Sequence, residues 1–275
     1  MKNEIKSKNY VSRYIATTYI VFWIGVLLVG GIFLLTNNDL VASVGTIPLS
    51  WIPTIILLIM FGKLLPGKKR KEWIKETFSS KINIVIVFIT LTAFVLSVVL
   101  TYVIMFYVSE DVPSINSNLS SFGSVIVAVI LSIVTGATGE ELGWRGFLQR
   151  HYEEQNGGNV LKGAFKVGLV WSLWHIPLWF TSASGDSVWF LLNHIVTFFI
   201  QCMCLSLIIA VCYKRCRNIF IPMWIHFLSN VTMNLISPYF TTSVAIMGGK
   251  ALLTVFYILI AGAFVLWHRK VENKE

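Results

Sequence analysis

Eight apolar runs of membrane-spanning length fill most of this 275-residue chain: Tyr14 to Leu35, Leu49 to Leu65, Ile82 to Val108, Phe122 to Phe147, Gly163 to Phe180, Val188 to Cys212, Ile219 to Ile236 and Ala251 to Trp267. A hydrocarbon layer about 30 Å thick takes roughly 20 residues of helix. With 56% of residues apolar and only 13% charged, a soluble core of this composition would be hard to cover. The expectation is an all-α, polytopic membrane protein of about eight transmembrane helices. The first run is too long for a removable signal peptide and lacks its small-residue cleavage site, so it reads as a retained helix. No internal repeat, low-complexity tract or long linker divides the chain, and residues 1–275 read as a single integral membrane domain.

The basic residues set the orientation. If the amino terminus is cytoplasmic, the inner segments are 1–13, 66–81, 148–162, 213–218 and 268–275, and nearly every Lys and Arg falls in or beside them, whereas Lys250 stands at the outer side. Both termini are therefore expected in the cytoplasm, with the Ser/Asn-rich stretch Ser109 to Ser121 outside. This bias accounts for the formal net charge of +9 without a nucleic-acid partner. Lys68, Lys69, Arg70 and Lys71 form a cluster that serves as a topogenic signal and can also attract anionic headgroups of membrane lipids. Compact size and the absence of retention signals point to a bacterial plasma membrane. Cys202, Cys204, Cys212 and Cys216 share one helix, where small apolar packing is the usual role.

Within the fourth run, Glu140, Glu141 and Arg145 put three ionisable groups where lipid would exclude them. Unpaired, they would cost on the order of 7 to 10 kcal/mol at a helix centre. On a helix Glu141 and Arg145 lie at i and i+4 and neutralise each other. Glu140, about 100° round the axis, faces elsewhere and is free for chemistry.

Three of the five histidines lie inside apolar spans; His151 and His268 are expected at solvent-reached helix ends. Counted from the inner helix ends at about 1.5 Å per residue, Glu140 sits about 10 to 15 Å deep, His175 about 18 Å and His226 about 10 Å. His194 falls at ~28 Å, near the opposite interface, and reads as structural. Trp171 is one turn before His175 and Asn230 one turn after His226, so each pair shares a helix face. Any one of these groups alone is most simply a buried polar side chain bonded across a helix interface. Glu140, Glu141, Arg145, His175, His226 and Asn230 together point to a site.

In order, the blocks Glu140-Glu141-x-x-x-Arg145, Trp171-x-x-x-His175 and His226-x-x-x-Asn230 resemble those of the CPBP family of intramembrane proteases. That family includes the type II CAAX prenyl endopeptidases and the bacterial Abi, or bacteriocin-immunity, proteins. The resemblance covers roughly Ser121 to Asn234. It departs in the second block, where the family usually has Phe and this chain has Trp171, a change that bears on substrate fit more than on chemistry. Trp171 and Trp144 are the expected substrate contacts.

The resemblance and the residues together imply an endopeptidase acting on a peptide or lipidated protein substrate. Glu140 is expected as general base assisted by His175, Glu141 and Arg145 as its support, and His226 with Asn230 as oxyanion donors. A metal version uses Glu140, His175 and His226 as ligands of Zn²⁺ with a fourth position for water. The metal-free version is preferred, because no His-Glu-x-x-His motif is present and Asn230 is a poor zinc ligand but a good oxyanion donor. Two other classes remain: a catalytically silent immunity or scaffold protein, and a secondary transporter or proton relay. Transporters show interrupted helices in two related halves, and here the polar groups are confined to the second half.

Overall fold

The structure is a computed structural model that describes residues 2–111, 121–181, 187–233 and 240–274; most of the Ser109 to Ser121 stretch lies outside the described residues. In chain order the helices are α1 (Lys2–Thr36), α2 (Asp39–Ser50), α3 (Ile52–Ile59), α4 (Phe61–Leu64), α5 (Arg70–Ser79), α6 (Ile84–Val108) and α7 (Phe122–Ser132). Two wide-turn π segments follow, Ile133–Ala137 and Leu142–Gln149, and then α8 (Arg150–Gln155), α9 (Val160–Trp174), α10 (Ile176–Thr181), α11 (Val188–Cys216), α12 (Phe220–Val231) and α13 (Ser243–Glu272). An all-helical backbone is what hydrocarbon demands, since each peptide group must find its partner within its own segment.

Among the described residues, five stretches are long and apolar enough to cross a membrane: Asn9–Thr36, Ile84–Val108, Phe122–Gln155, Val188–Cys216 and Ser243–Glu272. The chain is a multi-pass membrane protein. Its outer faces carry exposed Leu27, Leu34, Phe88, Tyr107 and Leu266, a surface suited to lipid.

The other three apolar runs are carried by shorter or broken helices. Pro53 stands in the first turn of α3, where its missing N–H costs nothing, so the run from Leu49 to Leu65 is divided into short helices. Pro177 removes a donor two residues past His175, and the helix expected over Gly163 to Phe180 breaks at His175. The seventh run is occupied by α12, and its last residues, 234–236, lie outside the described residues.

α11 runs through the middle, with Ile208, Ile209, Val211, Cys212 and Tyr213 inaccessible to solvent. The segments expected at the inner side gather at one end of the bundle. There Arg150 Nη2 donates to Tyr213 Oη at 2.6 Å, Arg217 Nη2 pairs with Glu153 at 2.8 Å, and Asn218 Nδ2 donates to the Phe78 carbonyl at 2.9 Å. His268, expected in solvent, is buried at this end and contacts Glu272 through Nε2 at 3.2 Å, because its helix packs along α11.

At the opposite end Asp111 clasps the start of α13. Its carboxylate accepts from the backbone N–H of Thr241 at 2.6 Å and of Thr242 at 2.7 Å. These bonds, that of Thr242 foremost, hold the Asp111 carboxyl below its ordinary range. A carboxyl depressed in the folded state stabilises fully above its unfolded pKa of about 3.9 and loses that contribution as pH falls through the lower folded value. Hydrogen exchange at Thr241 and Thr242 should therefore show constant protection factors from pH 7 to about 4 and a drop only in stronger acid. In Asp111→Asn that acid transition should vanish; its persistence would show that another group controls it.

Candidate active site

The site begins where a helix fails. After Ser132 the chain enters a π turn in which Thr135 (φ −93°, ψ 106°) and Gly136 (φ 90°, ψ −70°) leave helical geometry, the latter in a region open mainly to glycine. The helix expected to run unbroken from Phe122 to Phe147 is thus interrupted four residues before Glu140. The released carbonyls find side-chain partners, as they must in an apolar medium. Val134 O accepts from Trp51 Nε1 at 3.0 Å and Ser50 Oγ at 3.3 Å, while Asn230 Nδ2 donates to Thr135 O at 2.9 Å and Ser132 O at 3.3 Å.

Past the break, one face of the chain carries Gly139 and Gly143, which bring it close against α2 and α3. A Cβ at Gly139 would lie 2.8 Å from the Ser50 carbonyl oxygen, and one at Gly143 would lie 2.6 Å from Tyr14 Oη. This close fit is the small-residue packing of membrane helices. It buries Glu141 and Arg145 completely.

Glu141 and Arg145 pair as their spacing predicts, Arg145 Nη1 donating to Glu141 Oε1 at 3.0 Å. The same oxygen lies 2.7 Å from His226 Nδ1. Arg145 also stacks its guanidinium over the Trp171 ring, 4.4 Å from the centroid. Glu140 points away from this pair. Its Oε2 accepts from Trp144 Nε1 at 3.0 Å and from Trp171 Nε1 at 2.6 Å.

Two indoles therefore fix one carboxylate oxygen and leave Oε1 to the cavity. A Cβ placed on Gly136 would meet His226 Nε2 at 3.0 Å and Glu140 Oε1 at 3.1 Å, so these two atoms bracket a single point that only a glycine leaves vacant. His175 Nδ1 lies 2.8 Å from the Trp171 carbonyl, which fixes that nitrogen as the donor and leaves Nε2 of the neutral ring as an acceptor.

Glu140, Trp171, His175, His226 and Asn230 line one cavity of about 380 Å³. Of the eight residues expected at the site, Glu141, Arg145 and Trp144 stand behind its wall. The substrate contact expected of Trp144 is replaced by support of Glu140, since its fully buried indole is turned to the carboxylate. Asn230, expected as an oxyanion donor, lines the cavity while its Nδ2 donates to the Ser132 and Thr135 carbonyls.

The cavity also takes in His194, Thr197, Gln201 and Cys202 of α11 and Lys250 of α13. Depth alone sets His194 apart at the far interface as structural, yet it borders this cavity. The spacing His194, Thr197, Gln201, Cys202, Leu205 marks one helix face and is the signal that finds it.

The zinc reading meets a geometric obstacle. Among the described residues no three His, Cys, Asp or Glu side chains gather closely enough to hold one metal ion. The bonds to His226 Nδ1 and Glu140 Oε2 leave Glu140 Oε1, His175 Nε2 and His226 Nε2 turned to the cavity, but these three side chains as placed do not gather closely enough to share one ion.

Residues 122–232 match the sequence model of a family described as Rce1-like, type II CAAX prenyl endopeptidase Rce1-like. Over those residues the chain is similar to the Rce1-like family. CAAX prenyl protease 2 of Methanococcus maripaludis is 28% identical over 235 residues, covering 80% of this chain and 79% of that protein. The Rce1-like match, close to the expected Ser121 to Asn234, contains Glu140, Glu141, Arg145, Trp171, His175, His226 and Asn230. Residues outside it complete the site: Ser50 and Trp51 hold the break, Phe22 and Val26 line the cavity, and Lys250 closes its far end.

Proposed function

We propose that this protein is an intramembrane endopeptidase that cuts a prenylated peptide by a water molecule activated by Glu140. The observation that carries the reading is the pairing of Glu140 Oε1 and His226 Nε2 about one point beside Gly136, at the wall of an apolar cavity. That cavity, faced by Trp171, Trp174, Leu178, Trp179 and Phe198, suits an isoprenoid tail and an extended peptide.

In this mechanism a water sits between Glu140 Oε1 and His175 Nε2. Glu140 takes one proton as the water oxygen bonds to the scissile carbonyl carbon, and His175 orients the second hydrogen. The carbonyl oxygen becomes an oxyanion and accepts from His226 Nε2–H. For that donation His226 carries protons on both nitrogens, and its charge is balanced by Glu141: two carboxylates then face two cations, and the buried cluster is neutral. The tetrahedral intermediate collapses as Glu140 returns its proton to the departing amine. Asn230 acts one step back, holding the broken turn so that Gly136 stays open. No step passes through a metal.

The test is release of the carboxy-terminal fragment of a farnesylated peptide by purified protein, followed by mass spectrometry. Gly136→Ala provides the sharpest check of geometry. Its methyl would occupy the point between base and oxyanion donor at a φ of 90°, which costs roughly 1 to 2 kcal/mol of backbone strain and keeps the scissile carbonyl from reaching His226 Nε2. Cleavage should fall at least about 100-fold, the scale of a misplaced reacting atom. A Gly136→Ala protein that cuts at the wild-type rate would refute this placement of the scissile carbonyl.

A further inference from the structure

The surplus of positive charge gathers around one short helix. Between Lys63 and Lys81 stand seven basic residues against two acids, in a chain whose net charge is +9. A topogenic signal asks only for charge near the membrane, yet here two of the cations are built into a hollow. Phe61 and Gly62 of α4 line it together with Arg70, Lys71 and Ile74 of α5. The Arg70 guanidinium stands over the Phe61 ring, 5.8 Å from its centroid. Glu72 is taken by Lys69 at 3.0 Å, and among the described residues Arg70 and Lys71 make no ion pair. Ile74 and the exposed Phe78 follow Arg70 at i+4 and i+8, an apolar stripe beside the cations.

α5 is also tied to both elements that carry the reacting groups. Its inner face is Trp73 and Thr77, both buried. Trp73 meets Phe61 edge to face at 5.6 Å, and a Cβ on Gly146, the residue after Arg145, would lie 3.3 Å from Trp73 Cη2. The Thr77 carbonyl accepts from Ile219 N at 2.8 Å, and Asn218 Nδ2 donates to the Phe78 carbonyl at 2.9 Å and to the Ser80 carbonyl at 2.5 Å. Ile219 leads into α12, where His226 follows about two turns later. One helix thus braces the end of the segment that carries Glu140 and the start of the helix that carries His226.

We propose that Arg70 and Lys71 bind the phosphate headgroup of an anionic membrane lipid beside the Phe61 ring, and that the bound lipid steadies, through α5, the two elements that carry the reacting groups. The guanidinium offers a fork of donors to the two free phosphate oxygens, and the ammonium adds a point charge. The acyl chains leave along Ile74 and Phe78, the apolar face of an interfacial helix. A zwitterionic headgroup brings its own ammonium and gains less. Each basic residue near an anionic surface multiplies affinity roughly fivefold, so two give on the order of 25-fold. The site lies before the family-matched segment and requires no assumption about peptide cleavage.

The full-length protein in a neutral maltoside micelle is titrated with phosphatidylglycerol, or with phosphatidylcholine of the same acyl chains, and bound lipid is counted by native mass spectrometry. Phosphatidylglycerol should bind at least about tenfold more tightly. Arg70→Gln with Lys71→Gln, or Arg70→Ser with Lys71→Ser should the first pair fail to fold, should bring the ratio within about twofold. Lys68→Gln with Lys75→Gln removes the same charge outside the hollow and should keep most of the preference. Hydrogen exchange at Gly146 and Ile219 should slow by at least about threefold when phosphatidylglycerol binds, and stay unchanged when inorganic phosphate is added instead. Equal binding of the two lipids, a preference that survives loss of Arg70 and Lys71 or falls equally in both double variants, or the same slowing from inorganic phosphate overturns the lipid site. Exchange unmoved at Gly146 and Ile219 by bound lipid overturns its link to the reacting groups.

Discussion

Glu140→Gln should lower the rate of peptide cleavage by on the order of 10²- to 10⁴-fold, the share that a positioned general base supplies, and should leave the fold intact. The substitution is nearly isosteric. The new amide oxygen can accept from Trp144 Nε1 and Trp171 Nε1 as Oε2 does now, because indoles only donate and would select that rotamer. The amide nitrogen then turns to Gly136 and His226, where it has no lone pair with which to take a proton. Peptide affinity should change by no more than a few-fold, since the cavity keeps its shape. Initial rates by mass spectrometry, with thermal unfolding of the solubilised protein as control, provide the check. A variant within tenfold of the wild-type rate would remove Glu140 from the chemistry.

How much of this was readable beforehand depends on what each residue costs. Glu140, Glu141 and Arg145 stood out because charge in hydrocarbon requires compensation, and the pairing of Glu141 with Arg145 followed from helical spacing alone. The breaks at Pro53 and Pro177 had a visible cause in the missing donor. The break at Gly136 had none: glycine is common in membrane helices, and its role rests on Asn230, Ser50 and Trp51, which reach it from sequence-distant helices. Depth counting gathered Glu140, His175 and His226 because it selects residues at one cross-section. For the same reason it discarded His194, since a cavity that runs along the bundle has a length as well as a level. Trp144 was assigned to substrate by its type, and only packing shows that its indole is spent on Glu140.

Arg145→Met should destabilise the protein by about 3 to 5 kcal/mol, the cost of leaving a buried charge without its partner. Both side chains of the pair are wholly inaccessible, and their contact is 3.0 Å. Methionine fills similar volume, so the loss is electrostatic: Glu141 keeps only His226 Nδ1 at 2.7 Å, and Trp171 loses the cation beneath its ring. The second loss reaches the chemistry, because the Trp171 indole that Arg145 supports is the one that fixes Glu140. Glu141→Gln in the same background should recover most of the stability, since the amide oxygen still accepts from His226 while the uncompensated charge is gone. It should not recover the rate, because a neutral residue 141 no longer balances the second proton that the proposed oxyanion donation from His226 requires. Unfolding in mixed micelles across the double-mutant cycle, with rates on the same samples, separates the two. If the single variant stays within about 1 kcal/mol of wild type, the typical worth of an exposed pair, then water reaches Arg145 and the sealed ion pair beneath the active site is not the device that organises it.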